Sequence, residues 1–500
     1  MPGKKLNILL LSDNPNVLGV DLDILYPGQV TKLNFTQEAH GVRTLQEYDC
    51  VITMVCNGEM VKKLNYGAVT SYAKSGGKVM SCLFEYAENR GLHFSKTYVG
   101  EHPRPSMFIE AENDITRGYA IGNEVWWFGI VSGAGDLLYC NQMLQRQVSG
   151  VKESESVTIL GTSNINRGAV MLEEKVGKGR IVALDLRSLG RPYFNSWGAT
   201  NKYLFLGNLV NGAVRYGKHY PKRLSYDDFV DEMRAHSDRI PALSMQAEGA
   251  SSDGSEMWSL NIGDESNPTV FLGAAVHGWE WENSYGLLRL AEIICEDPNI
   301  EGLDTSRLHF KIMPVQSPWA FNHFTRQNAR GVDLNRNFDC GWEKLTDNQD
   351  VPMPWDYNYK GPKPASERET QVIQSIIDRH LPLCVIDFHT ADYILLHPYK
   401  GDLKLIESIQ REIRRRLKDR YLCQRPYGGP YQQVNMDRIL KSSDSNPYLI
   451  DYAASRGVPA AFLIEMSGNR DDTHALVMNT DTVVEICLAA VKKCLAHTRR

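Results

Sequence analysis

Two histidines and a glutamate are the residues of this chain best suited to bind a metal. His277 and Glu280 lie in P-T-V-F-L-G-A-A-V-H-G-W-E-W-E (268–282), and His389 ends P-L-C-V-I-D-F-H (382–389). The H-x-x-E spacing lets an imidazole and a carboxylate reach one ion. A distant second histidine completes the His₂Glu set of catalytic zinc, which leaves a fourth position for water. Each part alone also has a structural interpretation, as a surface pair or a strand-end histidine. Their combination favours a zinc site.

A second polar segment, R-Q-N-A-R-G-V-D-L-N-R-N-F-D (326–339), lies between the two candidate ligand segments. Adjacent Asn335 and Arg336 offer an amide and a planar guanidinium fork, which suits a carboxylate. Asp333 precedes this pair by two residues. Its carboxylate is able to hydrogen-bond the free nitrogen of a metal-bound histidine and so fix the tautomer. The alternative interpretation is a polar loop with solvated charges.

Apolar runs predict the strands that must position these residues. Val270–Val276 is continuously apolar, and the residues after the following loop have helical periodicity. His277 and Glu280 therefore lie on a loop that leaves a strand, where α/β proteins place their chemistry. Val458–Ile464 is another apolar run, and Glu465 follows it directly. We expect partial desolvation to raise the pKa of that carboxylate.

The order of these motifs resembles the zinc carboxypeptidase (metallocarboxypeptidase) family. G-V-D-L-N-R-N-F follows H-G-x-E and precedes F-H-T, as in that family. Three further segments match it: Y-K-G-P-K-P-A-S-E-R-E-T (359–370), D-F-H-T-A-D-Y-I-L-L-H-P-Y (387–399) and D-Y-A-A-S-R-G-V-P-A-A-F-L-I-E-M (451–466). The likeness covers residues 222–500, which we expect to form a zinc carboxypeptidase α/β domain with a mixed central sheet.

The resemblance implies a catalytic group for these positions. His277, Glu280 and His389 would bind one Zn²⁺ per chain, and Glu465 would be the general base. Arg326 resembles the arginine that stabilises the oxyanion.

Arg330 is the alternative for the oxyanion role. Asn335 and Arg336 would bind the terminal carboxylate of a peptide or peptide-like substrate, which makes the enzyme an exopeptidase. Asp333 would orient the first zinc-binding histidine.

The chain departs from the family pattern at two points. Trp279 stands where many members have arginine between the first two ligands, so one substrate contact is expected to differ. The mobile tyrosine of the family matches either Tyr448, which we favour, or Tyr431. Ile450 occupies a position that helps to floor the pocket for the terminal side chain, and it predicts a preference for apolar or aromatic residues. The aromatic residues of the loop 340–358 either line the cleft or pack against it.

The first 217 residues predict a separate α/β domain. Their strands resemble a flavodoxin-like, class I glutamine-amidotransferase-like fold of the trehalose-utilisation type, and the polar segment 217–228 marks the boundary with the domain 222–500. An active amidotransferase needs an exposed cysteine on a glycine-flanked strand-to-helix elbow. Cys82 lies in M-S-C-L-F without flanking glycines. We therefore expect a non-catalytic domain that shapes the cleft, holds a partner or mediates oligomerisation.

Charge, apolar runs and cysteine spacing argue against several other classes of protein. Sixty acidic and 55 basic residues give a net charge of −5, so no domain-wide positive field points to nucleic acid. The basic run 411–420 fits a solvated helix face. No run of about 20 apolar residues predicts a membrane span, and no signal peptide is seen. Ten scattered cysteines without C-x-x-C spacing favour a reduced, cytoplasmic setting.

Three functions fit these residues. The first is a zinc exopeptidase, which the complete motif order favours. The second is an aspartoacylase-like deacylase of N-acyl amino acids, because such enzymes share the metal pattern and an Asn-Arg pair. The third is a catalytically inactive binding member of the family, against which the retained ligands and Glu465 argue.

Overall fold

The chain divides into two compact units. The first comprises residues 1–215 with 419–433, and the second comprises residues 216–418 with 434–500. The computed structural model describes residues 6–26, 28–99, 105–127, 129–130, 143–186, 196–220, 222–345, 353–390, 395–417, 422–423, 432–433, 439–444, 446–466 and 476–497. The domain limits 1–217 and 222–500 remain a prediction.

The first unit is built around one sheet with helices beside it. Its strands are β1 (Ile8–Ser12), β2 (Val30–Asn34), β3 (Cys50–Met54), β4 (Lys78–Cys82), β5 (His93–Val99), β6 (Ser106–Ile109), β7 (Glu124–Trp126), β8 (Gly129–Ile130), β9 (Met143–Ser149), β10 (Val157–Ser163), β11 (Ala169–Val176) and β12 (Gly179–Leu184). Its helices are α1 (Asn16–Leu25), α2 (Val42–Leu45), α3 (Tyr66–Lys74), α4 (Leu83–Arg90) and α5 (Ser196–Asn211).

The sheet of the first unit has a parallel half and an antiparallel half. The parallel strands run in the order β2-β1-β3-β4-β12, and β11, β10, β6 and β7 continue the sheet in antiparallel pairs. The order 2-1-3-4 followed by the last parallel strand is that of flavodoxin-like sheets. The parallel strands β1 and β3 are buried at every position, as strands covered on both faces must be.

The second unit contains the remaining helices and most of the remaining strands. In chain order they are α6 (Tyr226–Arg239), β13 (Leu243–Ala250), β14 (Glu256–Ile262), β15 (Thr269–Ala274), α7 (Glu282–Glu296), β16 (His309–Met313), α8 (Pro318–His323), α9 (Arg368–His380), β17 (Cys384–Thr390), β18 (Leu395–His397), α10 (Leu403–Leu417), β21 (Ile439–Lys441), α11 (Leu449–Ser455), β22 (Ala460–Met466) and α12 (Leu476–His497). The two-residue strands β19 (Leu422–Cys423) and β20 (Gln432–Gln433) pair with each other in the segment grouped with the first unit.

A mixed sheet in the order β13-β14-β16-β15-β17-β22-β18-β21 forms the centre of this unit. The four central strands, β16, β15, β17 and β22, are parallel, and the pairs toward either edge include antiparallel ones. The carboxyl ends of parallel strands meet at one edge of a sheet. That edge receives the ends of β15, β17 and β22, the strands predicted to carry or precede the candidate catalytic residues.

Local sequence accounts for much of this arrangement. Ser225 caps α6 by accepting a hydrogen bond from the Asp228 backbone N–H at 3.1 Å, and both Asp227 and Asp228 lie in the first turn of the helix. β17 is buried at all seven positions, as its apolar run predicts.

The basic face of α10 differs from the expectation in one respect. Arg411 and Arg415 are largely exposed, but Arg416 is buried and pairs with Glu485 at 2.5 Å and Glu301 at 2.8 Å. Two carboxylates compensate the desolvation of this guanidinium. Part of the run 411–417 is therefore an internal ion-pair network rather than a solvated surface.

Among the helices that the structure describes, none is both long and apolar enough to cross a membrane.

Candidate active site

The three predicted metal ligands lie together at the carboxyl edge of the mixed sheet. One ligand atom from each of His277, Glu280 and His389 lies within 4.8 Å of the others, and all three residues are buried. Glu280 stands between the imidazoles: Oε1 is 3.1 Å from His277 Nδ1, and Oε2 is 3.0 Å from His389 Nδ1. Two imidazole nitrogens and one carboxylate facing a single point form the donor set that zinc prefers in catalytic sites.

The loop after β15 brings two of these residues into place. Ala275 adopts a left-handed φ of 51°, and the Glu280 backbone N–H donates to the His277 carbonyl at 3.0 Å. Gly278 passes so close to another backbone segment that a Cβ here would lie 1.9 Å from the Ala320 carbonyl carbon. Glycine in H-G-W-E is therefore required by packing, because this tight turn leaves no space for a side chain.

A carboxylate lies behind each histidine, on the nitrogen that faces away from Glu280. Asp333 Oδ1 is 3.0 Å from His277 Nε2, and Asp387 Oδ2 is 2.9 Å from His389 Nε2. Such carboxylates fix the tautomer and orientation of a metal-binding imidazole. Gln316 donates to the other oxygen of Asp387 at 3.2 Å, so this carboxylate is itself held in place.

Asp333 is also the centre of a buried charge cluster. Arg326 reaches Asp333 Oδ2 through Nη2 at 2.6 Å, and Arg336 Nη1 is 3.8 Å from the same oxygen. Burial alone would raise the pKa of Asp333, but the charges of Arg326, His277 and Arg336 outweigh it and lower that pKa. The ionised form of Asp333 is therefore favoured, and its carboxylate pairs with the Arg326 guanidinium beside His277.

The two candidate oxyanion arginines lie in different surroundings. Arg326 is buried, and its Nη1 is 3.4 Å from His277 Nδ1. Its guanidinium carbon lies 4.4 Å from the centre of the Tyr357 ring. Arg330 is more than half exposed and has its Nε 3.7 Å from Glu367. Of the two, the structure brings Arg326 to the ligand group.

Asn335 and Arg336 are adjacent residues, and Asn335 lies beside His389. Asn335 Nδ2 is 3.4 Å from His389 Nε2, and its Oδ1 accepts from the Leu449 backbone N–H at 3.1 Å. Arg336 donates to the Asn335 carbonyl at 3.1 Å, and its guanidinium carbon lies 4.6 Å from the centre of the Tyr448 ring. These contacts fix a guanidinium and an amide in adjacent positions, as the predicted carboxylate fork requires.

Glu465 lies beside the ligands because of strand pairing. β17 and β22 run in parallel, and Glu465 is the partner of His389 in their register. Its side chain is half-buried, whereas the preceding residues of β22 are buried. The sequence placed Glu465 just beyond its strand, but the strand continues to Met466. A half-buried carboxylate next to a candidate metal ligand is well placed to exchange protons with a water molecule there.

A family model described as zinc carboxypeptidase matches residues 228–490, just over half of the chain. The chain belongs to the zinc carboxypeptidase family. The matched region contains every residue of the candidate site.

Curated carboxypeptidases align with the same part of the chain. Mast cell carboxypeptidase A of Rattus norvegicus is 26% identical over 282 residues, which are 50% of this chain and 65% of the relative. Carboxypeptidase B of Canis lupus familiaris is 27% identical over 195 residues, 34% of this chain and 46% of the relative. The chain thus spans less than two thirds of the length of these relatives.

A solved carboxypeptidase structure also resembles the chain. The crystal structure of carboxypeptidase A from Helicoverpa armigera is 17% identical, covers 61% of this chain and 83% of its own, and has a TM-score of 0.45. A score below 0.5 is too low to establish a shared fold by itself.

The predicted substrate residues of this zinc carboxypeptidase chain differ in exposure. Tyr448 is half-buried against Arg336, whereas Ile450 is fully buried in an apolar cluster with Leu449 and Phe338. Tyr431 lies outside the described residues, as does part of the loop 340–358.

Two contributions to the site were not predicted from the sequence. Asp387 is the first of them: residues two apart in a strand face the same side, so D-F-H places its carboxylate next to His389. Asn283 of α7 donates to the His389 carbonyl at 3.1 Å and to Thr390 Oγ1 at 3.2 Å, which anchors the end of β17. No sequence signal reveals that contact, because 106 residues separate the two positions.

Cys82 of the first unit lies at the junction of β4 and α4. It precedes the helix with φ of −64° and is 2% exposed. A nucleophile elbow holds its side chain out at a strained turn. The relaxed φ and the burial of Cys82 agree with the expectation of a core thiol.

Proposed function

We propose that the protein is a zinc-dependent carboxypeptidase that hydrolyses the C-terminal amide bond of a peptide or peptide-like substrate. One observation carries the proposal: the buried His277, Glu280 and His389 face one point, and Glu465 is the strand partner of His389. A metal site alone fits many functions. The adjacent carboxylate adds a base for hydrolysis, and the fork of Asn335 and Arg336 adds selection for a terminal carboxylate.

The ligand group fits zinc by its donor types and by the support behind each donor. Asp333 and Asp387 hold the two imidazoles so that Nδ1 of each faces Glu280. When bound, zinc would supply a Lewis acid that polarises the scissile carbonyl and increases the acidity of a water molecule.

The residues of this chain would share the remaining steps. Glu465 takes the proton of the attacking water and passes it to the leaving nitrogen, so one group acts as base and then as acid. Arg326 stabilises the negative charge that develops on the carbonyl oxygen. Its ion pair with Asp333 holds the guanidinium in place before the reaction starts.

The fork would define which bond is cut. Arg336, stacked against Tyr448, pairs with the terminal carboxylate, and the amide of Asn335 donates a second hydrogen bond. Internal peptide bonds lack this carboxylate, so the substrate is held only with its last amide bond at the ligand group.

The first unit is proposed to have no catalytic cysteine. Cys82 is buried in it and does not adopt an elbow conformation. The unit would then serve in binding a partner, in assembly or in shaping substrate access.

Hydrolysis of blocked dipeptides tests the proposed function. We expect release of the terminal amino acid, loss of activity on chelation and its return with Zn²⁺. N-acetyl amino acids serve as the comparison, because an aspartoacylase-like deacylase would prefer them. Faster turnover of N-acetyl amino acids than of every dipeptide would contradict the peptidase assignment.

Ile450 exposes no surface of its own to a substrate, because it is fully buried in the apolar cluster, so the terminal-residue preference is proposed from the apolar character of that cluster. An isoleucine supplies no counter-charge, and the neighbouring Asp451 carboxylate already accepts from Ser442 Oγ at 2.7 Å and from the Tyr399 backbone N–H at 2.8 Å. Desolvating a charged terminal side chain here is costly without a partner. We expect kcat/KM for peptides ending in phenylalanine or leucine to exceed that for lysine or glutamate by about 10-fold or more. A reversed ratio that depends on Glu343 would place the pocket in the 340–358 loop instead.

A further inference from the structure

A second pair of histidines lies close together in the second unit, outside the ligand group. His309 is the first residue of β16, and His380 is the last residue of α9. Their ring centres are 5.4 Å apart, compared with 4.9 Å for His277 and His389. With zinc–nitrogen distances of about 2.0–2.1 Å and tetrahedral angles, two imidazoles on one ion have ring centres about 5 Å apart. The spacing of the second pair therefore fits a shared metal ion.

Each ring of this pair has one nitrogen that is buried and makes no hydrogen bond within the described part of the chain. These atoms are His309 Nε2 and His380 Nε2. His309 is 0% exposed, so bulk water does not replace the missing partner of its nitrogen. A buried polar atom without a partner is unfavourable, because it has lost its hydrogen bonds to water. A metal ion bound by both nitrogens would remove this cost.

Thr269 fixes the orientation of the first ring. Its Oγ1 lies 3.1 Å from His309 Nδ1, within hydrogen-bonding distance. When Nδ1 donates to this hydroxyl, Nε2 carries the lone pair, and the imidazole is then in a tautomer that binds a metal. The ligand group has the same design, because a carboxylate engages the second nitrogen of His277 and of His389.

Backbone hydrogen bonds hold both histidines beside the start of β15. The His309 N–H donates to the Pro268 carbonyl at 3.1 Å. Three residues after His380, the Leu383 N–H donates to the Thr269 carbonyl at 2.7 Å. Both rings are therefore carried by anchored backbone segments, and a metal ion would find its two nitrogen ligands already in position.

The charges around the pair favour neutral rings. Burial lowers the pKa of His309 and of His380, and the positive charge of Lys311 acts in the same direction on both. The neutral imidazole is the form that binds metal. Lys311 is itself paired with Glu248 at 2.6 Å, which reduces its repulsion of a cation. Glu265, an exposed residue between β14 and β15, acts on both rings with the opposite sign and adds a negative charge near the pair.

The carboxyl end of α9 also suits a bound cation. His380 ends this helix, and the carbonyl groups of the last turn carry partial negative charge. Arg379 is the other basic residue of that turn, and its Nη1 lies 4.0 Å from Glu248 Oε2. A metal ion at His380 would therefore lie at the negative end of the helix dipole.

We propose that His309 and His380 bind a second divalent transition-metal ion at the amino ends of β15 and β16, with Zn²⁺ well suited to their nitrogen donors. The ligand group lies at the opposite edge of the sheet, and β15 alone spans about 17 Å, so the two sites are separate. Two protein nitrogens, with water completing the coordination, bind more weakly than the three donors of the ligand group. The second ion would join the start of β16 to the end of α9 and stabilise the second unit.

Titration of the dialysed protein with Zn²⁺ tests the inference. We expect one tightly held zinc ion and a second, weaker equivalent that raises the melting temperature. Loss of a residue that only supports a ligand costs about 10–100-fold in affinity, so His380→Gln should weaken the second equivalent about 100-fold or more. His323→Gln changes an exposed histidine at the end of α8 and should keep both equivalents.

A second variant keeps the test valid if His380→Gln proves unstable without metal. Thr269→Val preserves the shape of the side chain and removes only the hydroxyl behind His309. It should weaken the second equivalent about 10-fold and leave the first unchanged. Unchanged binding of the second equivalent in both Thr269→Val and His380→Gln would show that these residues do not form the site.

The His389→Gln background separates this site from the ligand group. After dialysis this variant should hold no zinc, yet added Zn²⁺ should still raise its melting temperature, and the further change His380→Gln should abolish that response. The measurement needs no peptide hydrolysis, so its outcome is independent of the proposed function. A wild type that binds a single equivalent, or a second equivalent that is lost in His323→Gln but kept in His380→Gln, overturns the inference.

Discussion

Replacing Glu465 by glutamine is expected to lower kcat about 10²–10⁴-fold while zinc stays bound. Glutamine has nearly the same size as glutamate, so the pairing of β22 with β17 should persist. It is unable to accept the proton of the attacking water at neutral pH. His277, Glu280 and His389 are unchanged, and these three residues supply the donors that lie within 4.8 Å of one another. The measurement is kcat for a blocked dipeptide together with the zinc content of the purified protein.

Two comparisons make the Glu465 result specific. Glu296→Gln changes a glutamate that is 58% exposed at the end of α7, and it should leave kcat unchanged. His389→Gln removes a ligand, so both zinc and activity should be lost. If Glu465→Gln keeps the wild-type turnover, a group other than Glu465 must act as the general base. Loss of zinc from Glu465→Gln would instead mean that this carboxylate takes part in metal binding.

Short-range pattern predicted the central strands well. Apolar runs located β15, β17 and β22 to within a few residues, because buried parallel strands have little polar sequence. Alternation between strands and helices also predicted the α/β class of both units. The prediction was wrong only about where β22 ends: the strand includes Glu465, because the end of this strand is set by its pairing with β17 rather than by local composition.

Long-range contacts set the limit of the sequence interpretation. H-x-x-E and D-F-H are short sequence motifs at the ends of two predicted strands. Once those strand ends were predicted, the metal site that the two motifs share could be inferred from the sequence. The choice between Arg326 and Arg330 could not be predicted from the sequence. It depends on which side chain turns toward Asp333 and which turns toward Glu367. The burial of Arg416 likewise depends on Glu301, which lies 115 residues away in the chain. Such pairings follow from the tertiary fold and leave no periodic signal.

Replacing Arg336 by alanine is expected to lower kcat/KM about 100-fold for a peptide with a free terminal carboxylate. A hydrogen bond to a charged group contributes about 1.5–3 kcal/mol, and each 1.4 kcal/mol is a factor of ten. Arg336 is already positioned by Tyr448 and by the Asn335 carbonyl, so its fork is formed before the substrate arrives. Arg336→Lys keeps the charge but loses the planar fork, and an intermediate loss is expected. Arg307→Ala, an exposed arginine in the same unit, is the matched control.

The amidated form of the same peptide identifies what Arg336 binds. Wild type should cleave the free acid far faster than the amide, because the amide presents no negative charge to the guanidinium. In Arg336→Ala the free acid loses its partner while the amide loses little, so the ratio of the two specificity constants should fall toward one. A loss that is equal for acid and amide would indicate that Arg336 supports Asp333 rather than the substrate. Equal cleavage of acid and amide by wild type would contradict the exopeptidase proposal itself, since the enzyme would then not require a terminal carboxylate.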